Sequence, residues 1–95
     1  LYIGQALFTM RRFGEALTAI RRSTNHNPES LPAQFYLAAC AGQLGEDTVA
    51  RNALAEVRRI SPGFSYTDVW NTAAYKREDD LNLLVDGLQK AGFEM

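Results

Sequence analysis

Four groups of residues have types that could do chemistry. His26 and Cys40 are the chain's only histidine and only cysteine. Arg21–Arg22 and Arg58–Arg59 are paired cations, each followed a few residues later by a proline. Glu78, Asp79 and Asp80 form an acidic run. A zinc site needs three or four ligands, usually with Cys or His close together in sequence, and His26 with Cys40 falls short of that. As a general base His26 would need a nucleophile and an orienting partner, and Ser23 or Ser30 on a loop is thin support. Cys40 stands between Ala39 and Ala41, the setting of a small apolar residue at a helix contact. No neighbouring cation is in place to lower its pKa. The acidic run is better placed to stabilise a helix N-terminus than to supply an acid/base pair. No glycine-rich phosphate loop is present, and "GEDTVAR" reads as a turn entering a helix. The sequence therefore predicts no catalytic residue, no cofactor and no metal.

The arginine pairs invite an anion site. Pro28 and Pro62 lie 34 residues apart, whereas the arginine pairs lie 37 apart, so the pairs are not one repeated position. Adjacent helical residues point about 100° apart, so a pair is no clamp. Near a helix C-terminus such cations complement the macrodipole by ~0.3–1 kcal/mol.

These residues must be positioned by helices. At the 34-residue offset of the prolines, Ile3 falls on Leu37, Gly4 on Ala38, Ala16 on Ala50 and Ile20 on Leu54, without a gap. Large side chains meet large and small meet small, as expected if each period is one helical hairpin with small residues at close crossings. Periodicity and punctuation predict helices over about 1–10, 13–24, 31–43, 48–60, 66–74 and 78–91. Ile3, Ala6, Leu7 and Met10 form the expected inward face of the first. Phe13, Ala16, Leu17 and Ile20 form that of the second, and Leu81, Leu84, Val85 and Leu88 that of the last. Ser30 is a candidate N-cap with Pro32 in the first turn behind it, and Gly92 a candidate C-cap. No stretch alternates with a period of two, so the fold class predicted is all-α.

Composition fits a single domain over 1–95. The chain is 46% hydrophobic and 22% charged, as in ordinary globular proteins. Its net charge of −1 argues against a dedicated nucleic-acid binder. Residues 1–60 carry seven basic and five acidic side chains and residues 61–95 three and six, so the C-terminal end is the acidic one. No apolar run approaches bilayer length, and no signal peptide is visible. One cysteine suits a reducing compartment, and a cytoplasmic location is expected. The opening on Leu1, already within an apolar-periodic segment, reads as a fragment of a longer protein.

The segment "YIGQALFTMRRFGEALTAIRRSTNHNP" resembles the tetratricopeptide repeat, through Gly4, Leu7, Phe13, Glu15–Leu17, Ile20 and Pro28. The next segment keeps Leu37, Ala38, Gly45, Ala50, Leu54 and Pro62, and departs from the family at Gln34 and Ala41. On this resemblance residues 1–28 are a first repeat lacking its opening residues, and 31–62 a second. Residues 64–95 are a degenerate repeat that caps the stack, with Asn71 and Thr72 breaking the pattern. The family implies antiparallel hairpins stacked as a short right-handed α-solenoid. Its groove positions map to Gln5, Phe8 and Thr9, then to Phe35, Ala39, Gly42 and Gln43, and onward to Tyr66 and Val69. This face would suit an apolar helix or extended segment. The family's cationic clamp for acidic tails is not at these positions.

The ending "YKREDDLNLLVDGLQKAGF" is similar to the C-terminal repeat regions of bacterial class III adenylate/guanylate cyclase proteins, at Tyr75, Lys76, Asp80, Leu81, Leu84, Asp86–Leu88 and Lys90–Gly92. The function these resemblances imply is a non-catalytic protein–protein interaction or regulatory module of a larger bacterial protein. Its expected partner is a protein or peptide segment in the groove, or another domain of the parent. The alternatives are self-association as a homodimer through the N-terminal face and an accessory nucleic-acid role.

Overall fold

A computed structural model describes residues 2–63 and 78–92 of the chain. All regular structure among them is helical: α1 (Tyr2–Thr9), α2 (Phe13–His26), α3 (Leu31–Leu44), α4 (Asp47–Ile60) and α5 (Glu78–Lys90). The expected helix over 66–74, with Tyr66 and Val69, lies outside the described residues.

The helix ends follow from local chemistry. α1 stops at Arg11, which takes a left-handed φ of 62°. There the Arg12 N–H donates to the Leu7 carbonyl at 2.9 Å, closing the last turn. Ser30 caps α3 as its sequence position suggests, its hydroxyl accepting from the Ala33 N–H at 3.4 Å, with Pro32 in the first turn. Gly45, at φ 74°, ends α3, and the Glu46 N–H donates back to Ala41 at 2.9 Å.

The 34-residue offset recurs in the backbone. α2 and α4 each have 14 residues and begin 34 positions apart. The residues preceding them match, Arg12 at φ −91°, ψ 66° and Glu46 at φ −82°, ψ 75°. Those that end them match too, Asn27 at φ −141°, ψ 82° and Ser61 at φ −137°, ψ 87°. Arg11 and Gly45, the left-handed residues of the α1–α2 and α3–α4 turns, are likewise 34 apart. Equivalent side chains share their burial: Ala16 with Ala50, and Ile20 with Leu54, are all in the core.

α3 is the centre of the fold. It packs against α2, α4 and α5, while α1 packs on α2. Residues 33–42 are buried without interruption. A helix apolar on every side needs neighbours on every side, and α3 has them. Small residues let the helices approach. A Cβ on Gly4 would stand 2.5 Å from Ile20 Cγ1. One on Gly42 would fall on the Gly87 carbonyl oxygen, and one on Gly87 on the Ala39 carbonyl oxygen. The α3–α5 crossing is thus backbone against backbone.

The expected inward face of α1 is corrected. Ile3 and Met10 are 73% and 57% exposed and Ala6 is exposed as well, while Leu7 is half-buried. Gly4 and Phe8 are the buried positions instead. Ile20 of α2 lies against Gly4, and Phe8 sits between Phe13 of α2 and Tyr36 of α3, so these contacts set the buried face at Gly4 and Phe8.

Candidate functional site

The expected groove is built in part and filled in part. On α1, Gln5 and Thr9 are half-buried and Phe8 is fully buried. The Phe8 ring lies 5.4 Å from Phe13 and meets Tyr36 edge-on at 5.8 Å. On α3, Phe35 is buried and stacks on Tyr36 at 5.1 Å. Phe8 and Phe35 are therefore core residues and not a ligand-gripping pair.

Ala39, Gly42 and Gln43 do come together on one face of α3, but that face is no open groove. α5 lies on it, with Gly87 against the backbone of Ala39 and Gly42. Gln43 holds α5 through its amide. Its Nε2 donates to the Leu83 carbonyl at 3.1 Å and to Asp86 Oδ2 at 3.0 Å. Lys90 Nζ donates to Gln43 Oε1 at 3.1 Å and pairs with Asp86 at 2.9 Å. The hydrogen bond from Lys90, then that from Gln43, holds the Asp86 carboxyl below its usual range. Gly87 stands in the C-terminal stretch that carries the cyclase-tail resemblance, but nothing in that motif assigns it to a helix crossing. The signal for the crossing is the small pair Gly87 and Ala91, four apart at the end of a leucine-rich helix.

The chemically suggestive residues have structural surroundings. Cys40 is buried and its Sγ donates to the Phe13 carbonyl at 3.0 Å, tying α3 to the start of α2. Burial pushes its thiol up to about 12, so it holds no thiolate at neutral pH. Arg59 bridges Glu56 at 2.6 Å and Glu29 at 2.9 Å, fastening the end of α4 to the turn before α3. These two hydrogen bonds, Glu29's first, raise its pKa. Arg21, Arg22, Arg58 and His26 are exposed. A cleft of about 160 Å³ opens where α2, α3 and α4 meet, with Arg21, Asn25, Gln34 and Glu56 beside Leu37, Val49 and Ala53 in its lining. Among the described residues no group of three His, Cys, Asp or Glu is placed to hold a metal ion, and no helix is long and apolar enough to cross a membrane.

The most prominent exposed apolar surface among the described residues is on α1. Ile3, Ala6 and Met10 stand at i, i+3 and i+7, on one side of a helix without a charged residue. Comparison of the chain with protein-family models, curated proteins and solved structures gives no match.

Proposed function

We propose that this chain is a non-catalytic protein–protein interaction module of the tetratricopeptide kind, serving as the docking part of a larger bacterial protein. The observation that carries the reading is the 34-residue recurrence of backbone angles and burial across α1–α2 and α3–α4. A hairpin that recurs in sequence and in conformation is the building block of stacked helical modules, which work by presenting surface. The chemistry of the suggestive residues agrees. Cys40 and Arg59 are committed to packing and to ion pairs within the fold. The similarity of residues 75–92 to the ends of class III cyclase proteins supports a regulatory place beside such an enzyme.

The seat that family resemblance assigns to a ligand is occupied on α3 by α5, which leaves α1 as the docking face. Immobilised chain should capture a partner polypeptide. The double variant Ile3→Glu/Met10→Glu should lose it with unchanged circular dichroism, since both positions face solvent. Capture that survives the double variant contradicts the placement on α1. Self-association is the second reading, favoured by the same exposed Ile3 and Met10. Sedimentation over a range of concentrations separates the two.

A further inference from the structure

Among the described residues two polar side chains are buried, Thr24 at 8% and Gln34 at 4% exposure, and both line the cleft between α2, α3 and α4. A buried polar group is informative where a buried leucine is not, because it needs a hydrogen-bond partner. The Thr24 hydroxyl donates its one proton to the Arg21 carbonyl at 2.9 Å, so toward the cleft it can only accept. Gln34 Nε2 donates to the Pro28 carbonyl at 3.0 Å, and that acceptor fixes which way round the amide sits. Gln34 Oε1 accepts no hydrogen bond within the fold and is not sealed from solvent. The floor of the cleft thus presents two positioned acceptors. Leu37 and Val49 give it an aliphatic wall, and Glu56 and Arg21 stand at its edge. Arg59 takes Oε2 of Glu56 and leaves Oε1 open. Arg21 is exposed and forms no ion pair among the described residues.

We propose that this cleft binds a free α-amino acid with an aliphatic side chain. Its ammonium donates to Gln34 Oε1 and Thr24 Oγ1, with the Glu56 carboxylate as counter-charge. Its carboxylate pairs with the Arg21 guanidinium, and its side chain lies on Leu37 and Val49. Size limits the choice. The cleft's 160 Å³ compares with the ~150 Å³ of a cavity that takes one benzene, so a nucleotide or a folded segment is too large. Charge limits it further. An amine alone would meet Arg21 as a like charge, and a carboxylic acid alone would leave the two buried acceptors unpaired. The site is separate from the docking face on α1. Thr24 belongs to the first helical hairpin and Gln34 and Glu56 to the second, so a bound amino acid bridges the two. It therefore stabilises their stacking by mass action.

Titration of the full chain with L-leucine, followed by calorimetry and by melting temperature, tests the proposal. Saturable binding at millimolar concentration and a rise in melting temperature are expected. Glycine lacks the aliphatic group, isopentylamine the carboxylate and isocaproate the ammonium, and each should bind at least tenfold more weakly. Gln34→Leu should abolish leucine binding. Thr24→Val keeps the shape of the side chain and carries the test if Gln34→Leu does not fold; it should weaken binding several-fold. Arg21→Gln, at an exposed position, should weaken leucine several-fold without weakening isopentylamine, and Arg22→Gln should change neither. Isopentylamine binding as tightly as leucine would make this a site for a basic group and overturn the proposal. Leucine binding that Thr24→Val and Arg21→Gln leave intact overturns it as well. So does the absence of binding by all four compounds, which leaves the cleft to water.

Discussion

α1 and α3 hold equivalent places 34 residues apart, and they are treated in opposite ways. α3 is enclosed by α2, α4 and α5. α1 has α2 on one side and solvent over Ile3, Ala6 and Met10 on the other. The pair differs again one turn on, where Phe8 of α1 corresponds to Gly42 of α3. Phe8 fills space between Phe13 and Tyr36, while Gly42 clears space for the backbone of Gly87. One register thus serves two purposes, and the neighbour decides which. A side chain's spacing fixes which residues share a face; only the next helix fixes whether that face is interior.

The largest effect should come from making α3 more like α1. Gly42→Leu puts a side chain where the Gly87 carbonyl lies, and should cost about 3 kcal/mol by overpacking, read from urea unfolding. A cost under about 1 kcal/mol would mean that α5 does not press on α3 as described. The next effect sets the two counterpart residues against each other. Leu37→Ala should lose about 2–3 kcal/mol, as buried leucines do. Ile3→Ala should stay within about 0.5 kcal/mol, as surface positions do. Equal losses would erase the distinction between the helices.

Cys40 and Ala6 sharpen the same contrast through pH. The buried thiol titrates at about 12 in the folded chain and near 9.0 when exposed. Between these values the unfolded chain releases a proton that the folded chain keeps, so stability falls as pH rises. It should be flat below 9.0 and drop by about 1.4 kcal/mol per pH unit above it, relative to Cys40→Ala. A thiol placed by Ala6→Cys in the Cys40→Ala background should show no such slope and should react at once with a thiol reagent. The smallest effect concerns the turns. Arg11 holds a left-handed φ that Gly45 holds without strain. Arg11→Gly should raise stability by about 0.5–1 kcal/mol, and Gly45→Ala should lower it by a similar amount, as melting temperatures would show.

Much of this architecture is legible in the sequence because it is local. Pro28, Pro62, Ser30 and Gly45 mark the helix ends, and the pairing of Ala16 with Ala50 and Ile20 with Leu54 marks the core side of α2 and α4. The face of α1 was not legible. Its apolar residues repeat at helical spacing on two adjoining sides, Gly4–Phe8 and Ile3–Ala6–Met10, and only contact with α2 and with Tyr36 of α3 selects the first. Gly42 misleads for a related reason. A small residue leaves room for a ligand and for a neighbouring helix alike, and Gly87, 45 positions away, is what takes the room. Arg59 belongs to the same class, since its partner Glu29 is 30 residues distant. The groove positions Tyr66 and Val69 lie outside the described residues.

The central claim is that equivalent repeat positions are exposed on α1 and buried on α3. Methyl NMR of the full chain with a soluble paramagnetic agent tests it most directly. The account predicts that the Ile3 and Met10 methyl signals broaden while those of Leu37 and of Ile20, buried against Gly4, are spared. Broadening of Leu37 equal to that of Ile3, or an Ile3 signal that is spared, would contradict it.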